Sequence, residues 1–375
     1  MDFAFSSDQQ LVRNAARAFL DEHCKPAVVR ALMDEPRGES EAMWKDMAQL
    51  GWLGLALPEA YGGSGLGMVE TALILDEMGR AAFPGPYTPT TLAALALAAH
   101  GSDAQRQRWL PAIAAGDARA SVALLDADLD WNPRAVTTSA QRRDGGWVLS
   151  GLKRVVPWAH VADFVLVPAR GATDGHGLTL FLVEAGAPGL DLTPMSGIDL
   201  ATRWVSLRLE SVSAPASAIV GQPGHALPII EDLLRRGAVM AAAEMLGAAR
   251  RCLDMSVGYA KVREQFGQPI GSFQAIRHKC AEMLLEVENA HSAAYYAAWA
   301  LTAGADDHAL AASVAKAYVG EAARKVCGEA IQVHGGIGFT WEYDLHLYFK
   351  RAKALEALYG DADYHRELIV RNLAA

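Results

Sequence analysis

The sequence predicts an α+β chain in three parts: a helical N-terminal domain over 1–118, an antiparallel β-barrel over 119–215, and a C-terminal four-helix bundle over 225–375. Three observations predict it. The apolar spacing runs at a helical period, switches to a strand period in the middle third, and returns to the helical one. Paired turn residues concentrate in that middle third. The chain has 375 residues, 51% of them hydrophobic, which is enough to fill more than one core.

In the first part, Ser6-Ser-Asp-Gln9 reads as a capping box, and Leu11, Ala15 and Phe19 follow at four-residue intervals. Pro58 to Gly67 is a glycine-rich loop that interrupts the helices. Helical pattern resumes over Met68–Met78 and Pro89–His100. In the middle part, Val122–Leu125, Trp147–Leu149, Phe164–Val167, Leu178–Val183 and Trp204–Leu209 are short and rich in β-formers, with turns at Asp144-Gly-Gly146 and Ala187-Pro-Gly189. Alternation through Thr202–Leu209 predicts a half-buried strand. In the last part, 225–260, 272–303, 307–333 and 345–358 carry apolar residues at helical spacing.

Composition excludes several functions. A formal net charge of −9 argues against broad nucleic-acid binding. No apolar run is long enough to span a bilayer. Met1–Asp8 has no basic stretch of the kind that opens a secretory leader. Cys24, Cys252, Cys280 and Cys327 lie far apart with no Cys-x-x-Cys, so no metal site is expected and a reducing cytoplasm fits.

The most informative stretch is Gln332-Val-His-Gly-Gly-Ile-Gly-Phe-Thr-Trp-Glu342. Bare glycines let a backbone approach a ligand, and free N–H groups in such a turn cradle anions such as a pyrophosphate. Arg263-Glu-Gln-Phe-Gly-Gln-Pro-Ile-Gly-Ser-Phe-Gln274 lies upstream, where a guanidinium can pair with a pyrophosphate through two parallel bonds. Neither Gly62–Gly67 nor Gly335–Gly338 has the spacing of a βαβ dinucleotide fingerprint. His334 reads as a packing residue.

Together the two segments resemble the FAD-binding signature of the acyl-CoA dehydrogenase family, and the helix–barrel–helix order resembles its layout over nearly the whole chain. Phe266, Gly267, Ile270, Phe273 and Ala281-Glu-Met283 keep the family's order and spacing. The resemblance implies an FAD held through Arg263, Phe266 and Gln274, and through Gln332, Gly335 and Gly336, often across a subunit interface. It also implies desaturation of an acyl-CoA thioester: a carboxylate removes the proton beside the carbonyl, and a hydride leaves the adjacent carbon for the flavin.

Several of the family's positions are altered. Its usual base is a Glu in a Tyr-Glu-Gly-Thr segment. Anchoring on Leu368-Ile-Val370 puts Gly360 there, with Asp361 next along. Its alternative base position corresponds to Gly237, and Glu244 lies seven residues on. Asp361 and Glu244 are therefore the candidate catalytic acids, with a structural carboxylate as the competing reading of Glu244. The pattern Trp-Ile-Thr, which touches the flavin ring in the family, aligns with Val155-Val-Pro157, and proline has no N–H to give. Leu125-Asp-Ala-Asp-Leu-Asp-Trp-Asn-Pro133 stands in place of Thr-Glu-Pro and Gly-Ser-Asp.

The C-terminal sequence resembles the bacterial branch that includes subunits of α2β2 tetramers acting on steroid side chains and other bulky acyl-CoAs. The expected function is FAD-dependent acyl-CoA dehydrogenation in a homo- or hetero-tetramer, with electrons passed to an electron-transfer flavoprotein. The alternatives are a non-catalytic partner subunit, or a monooxygenase or oxidase on the same fold.

Overall fold

The computed structural model describes residues 5–171 and 177–374. The leader reading of Met1–Asp8 rests partly on residues 1–4, which lie outside the described residues.

Six helices form the N-terminal part: α1 Ser7–His23, α2 Pro26–Asp34, α3 Glu41–Gln49, α4 Met68–Ala81, α5 Tyr87–His100 and α6 Asp103–Ala114. The capping box is formed: Ser6 Oγ accepts from the Gln9 backbone N–H at 3.2 Å, and Gln9 Oε1 accepts from the Ser6 N–H at 3.0 Å. The buried face of α1 differs from the expected one. Ala16 and Leu20 are buried, whereas Leu11 is 66% exposed and Ala15 is exposed. Arg13 and Arg17 both bond the buried Glu77 of α4, at 3.2 and 2.7 Å, and Leu11 and Ala15 lie away from the core while Phe19 packs partly against it.

The middle part is a sheet of eight strands: β1 Ala120–Val122, β2 Ser139–Arg143, β3 Gly146–Pro157, β4 Phe164–Arg170, β5 Leu178–Glu184, β6 Leu190–Met195, β7 Trp204–Ala214 and β8 Ile219–Val220. Its order is β6-β7-β3-β2-β4-β5-β8, with β1 paired to β4 off that path. The expected closed antiparallel barrel is corrected on two counts. Among the described residues the sheet does not close, since β6 and β8 end the path, and β1 runs parallel to β4. Sequence pattern passes over β2 because it is largely polar, and β6 because its alternation is short and broken by Pro194. β6 is an edge strand whose Pro194 needs no ladder donor on its open side.

The C-terminal part holds α7 Leu227–Val262, a short hairpin of β9 Glu264–Gln265 and β10 Gln268–Pro269, α8 Gln274–Ala303, α9 His308–His334, α10 Leu345–Ala357 and α11 Ala362–Ala374. The four-helix expectation is therefore one helix short, because α11 follows α10.

Helix α7 is the central rod. At its crossing with α4 the two backbones touch. A Cβ on Gly79 would stand 1.9 Å from the Glu244 carbonyl oxygen, and one on Gly247 would stand 1.8 Å from that of Asp76. Only glycine permits this approach, and it fixes where Glu244 stands. Among the described residues no helix is long and apolar enough to cross a membrane.

Candidate functional site

Two regions of the fold carry the residues singled out by sequence. The first is the end of the C-terminal bundle where α7 stops. Arg263 is the C-cap of α7, and its N–H bonds the Tyr259 carbonyl. Phe266 (φ +54°) and Gly267 (φ +78°) form the two-residue turn of the β9–β10 hairpin, the geometry that tight hairpins require. Phe266 is 93% exposed at its tip. Gln274 opens α8.

From the other side, α9 ends at His334, whose ring stacks on Tyr259 with centroids 4.4 Å apart. That contact brings the Gln332–Gly336 segment to the same end of the bundle as Arg263. His334 Nδ1 lies 2.7 Å from the Ala330 carbonyl, and burial lowers its pKa, so it serves packing. Beyond Gly335 (φ +64°) the chain turns, and a Cβ on Gly335 or Gly336 would meet nothing within 4 Å. Arg263, Gln274 and Gln332 are exposed, and among the described residues their side chains make no hydrogen bond or ion pair.

The second region is a cleft where the three parts of the chain meet. A small cavity of about 40 Å³ lies among α4, α5, α7 and the end of α10, walled by Phe83, Tyr87, Trp158, Glu244, Arg351 and Tyr359. Beside it, between the sheet and α10–α11, is an open groove of about 620 Å³. The groove has Val155, Met195, Asp361 and Tyr364 on its walls, and shares Leu358 and Trp204 with the cavity.

Each candidate acid is already engaged. Glu244 is buried and accepts from Arg351 Nη1 at 2.5 Å. Burial raises its pKa, and the Arg351 charge pulls the other way. Arg351 also donates to Asp199 Oδ2 at 2.5 Å and to the Phe83 carbonyl at 3.0 Å. One buried guanidinium thus joins the helical N-terminal part, the sheet and the bundle. Asp361 is exposed on the groove wall, but its Oδ1 caps α11 by accepting from the Tyr364 N–H at 2.9 Å.

Gly360 and Gly237, the positions where the resemblance implies a base, are both covered by neighbouring rings. Gly360 has φ +98°, and a Cβ there would stand 2.3 Å from a ring carbon of Tyr364. A Cβ on Gly237 would stand 2.9 Å from the ring of Tyr359.

The turn between α10 and α11 is strapped from below. Lys316 Nζ donates to the carbonyls of Glu356 and Gly360 at 2.8 and 2.7 Å, and His365 Nε2 bonds the Tyr359 carbonyl at 3.0 Å. Burial pushes Lys316 down to about 7 and His365 down to about 4.

Val155, with a left-handed φ of +53° beside a bulge in β3, faces the groove. The Pro157 carbonyl accepts from Ser121 Oγ at 2.5 Å. Asp126 pairs with buried Lys153 at 2.7 Å and accepts from Thr137 and Thr138. Arg351, Asp199, Tyr359, Lys316 and His365 are not singled out by sequence. Their roles depend on partners distant in the chain, and no local pattern marks them. No group able to hold a metal is present among the described residues.

Comparison with known proteins agrees with this architecture. Family models described as the acyl-CoA dehydrogenase N-terminal, middle and C-terminal domains match residues 6–117, 127–211 and 227–374. The chain belongs to the acyl-CoA dehydrogenase family. It is 32% identical to the acyl-CoA dehydrogenase IpdE2 of Mycolicibacterium smegmatis, over 95% of each chain. Among solved structures, a variant of the Tcur3481-Tcur3483 steroid ACAD matches at 34% identity with a TM-score of 0.89, covering 98% of this chain and 99% of that one. The ChsE4-ChsE5 complex from Mycobacterium tuberculosis matches at 30% identity with a TM-score of 0.91, covering 100% and 99%. Homologues in the family bind FAD.

Proposed function

We propose that this chain is one subunit of a cytoplasmic, FAD-dependent acyl-CoA dehydrogenase that desaturates an acyl-CoA thioester, and that it serves the flavin from its dinucleotide end. In this reading the proton-abstracting carboxylate belongs to a second chain of the same fold in a heterotetramer. The observation that carries the reading is the pair of glycines at both base positions, each backed by an aromatic ring where a Glu side chain would begin.

The dinucleotide end fits an FAD. An uncommitted guanidinium at Arg263, exposed amides at Gln274 and Gln332, and open space over Gly335 and Gly336 make an anion cradle. The ring end does not fit as well. Pro157 has no N–H, and Val155 offers no ring to stack against a flavin. Bound FAD would supply the hydride acceptor. This chain's contribution is to hold the pyrophosphate and neutralise its charge. The two-component neighbour ChsE4-ChsE5 supports the heteromeric assembly, and an electron-transfer flavoprotein would take the electrons onward.

A second reading, with Asp361 as this chain's own base, is favoured by that residue's place on the groove wall. Purification separates the two. Alone, the chain should carry little flavin and turn over no acyl-CoA. Copurified with its mate it should be yellow and bleach with acyl-CoA. If the chain alone bleaches, and Asp361→Asn or Glu244→Gln abolishes this, the base lies here and the subunit reading fails. Oxygen uptake without another acceptor would point instead to a monooxygenase or oxidase.

A further inference from the structure

Resting on the subunit reading, we propose that Tyr359 is the side chain that closes this chain's own acyl site and so sets which acyl group, if any, it admits. Tyr359 is 2% exposed and lines the cavity, next to Leu358, which the cavity shares with the groove. It covers Gly237 on one side, and its centroid is 5.9 Å from that of Trp131. What remains of the cavity, about 40 Å³, takes a few waters at roughly 10–15 Å³ each and not a butyryl tail.

Tyr359 is also placed at a cost. Its backbone is left-handed (φ +61°), a conformation uncommon outside glycine, and its buried hydroxyl has no hydrogen-bond partner among the described residues. Phenylalanine would fill the same space without an unmet hydroxyl. The backbone beneath is held firmly, because His365 and Lys316 bond the Tyr359 and Gly360 carbonyls. The strap fixes the turn, so shortening the ring would enlarge the cavity beside the wall it shares with the groove. Local strain and an unmet polar group on the same residue are the signature of a position kept for function rather than for stability.

The test uses the full chain purified alone, titrated calorimetrically with coenzyme A and with butyryl-CoA. The ratio of the two dissociation constants isolates the acyl tail. In the unaltered chain the ratio should be close to one. In Tyr359→Ala, butyryl-CoA should bind about tenfold more tightly than coenzyme A, the gain expected from burying two methylenes. Tyr359→Leu, kept in case the alanine variant folds poorly, should fall between. Tyr359→Phe should hold the ratio near one and melt at a higher temperature. The proposal is overturned if the alanine and leucine variants keep the unaltered ratio, if the phenylalanine variant shifts it as they do, or if none of the proteins binds either ligand. Failure of the subunit reading shows separately, as flavin bleaching by the chain alone.

Discussion

The dinucleotide face and the cleft use polar residues in opposite ways. On the face, Arg263, Gln274 and Gln332 are exposed and uncommitted among the described residues, and two glycines leave space above them. In the cleft, Glu244, Asp199 and Arg351 are buried and mutually satisfied, Asp361 caps a helix, and aromatic rings fill the rest. A polar group that makes no contact within its own chain is available to a ligand. One that has been desolvated and paired is committed to the fold. On the proposed reading, one half of the site is kept for a ligand and the other is given over to structure.

The contrast can be broken by changes that should cost stability in the cleft and ligand on the face. The largest effect is expected from Arg351→Met, which strands two buried carboxylates. Breaking such a pair costs about 3–5 kcal/mol, read as a shift in the urea midpoint. If the loss is under about 1 kcal/mol, the cleft does not hold the fold together.

Acid should act next, through His365. Its pKa is depressed to about 4 in the fold against about 6.5 when unfolded, so the unfolded chain binds more protons between these values. The stabilisation is complete above about pH 6.5 and is lost as pH falls toward 4, on the order of 3 kcal/mol at most. His365→Gln should flatten that slope in pH-dependent melts. Gly247→Ala comes third. Its new methyl would strike the Asp76 carbonyl, and overpacking of this kind costs about 1–3 kcal/mol.

The smallest effect on stability is expected on the face. Arg263→Ala should leave the melting midpoint within about 0.5 kcal/mol of the parent. It should weaken FAD retention in the assembled enzyme by about ten- to a hundredfold, the value of a charge-assisted hydrogen bond. Equal loss of stability and flavin would erase the distinction between the regions.

What can be read from the sequence follows the range of the interactions involved. The Ser6 capping box, the helix end at Arg263 and the turn at Gly267 depend on neighbours a few residues away, and all are legible. So is the alternation of helical and strand periods. The buried face of α1 is not, because it is set by Glu77, some sixty residues on. Strand β2 is mostly polar, and in β6 the Leu190–Leu192 alternation is short and broken by Pro194. Barrel closure depends on edge geometry that no strand encodes alone. In the cleft, both glycines at the family's base positions are visible, but not the rings that fill them. The partner of Glu244 lies more than a hundred residues away, on a helix whose own pattern gives no sign that Arg351 points inward.

Arg351 also decides how the molecule comes apart. Its hydrogen-bond acceptors come from the turn after α4, from the sheet and from α7, so excising the sheet or the bundle would leave a charge in a dry interior without its counterweight, and excising the N-terminal part would strip the guanidinium of the Phe83 carbonyl. The chain should therefore melt as a single cooperative unit, and fragments cut at the joins should be insoluble rather than independently folded.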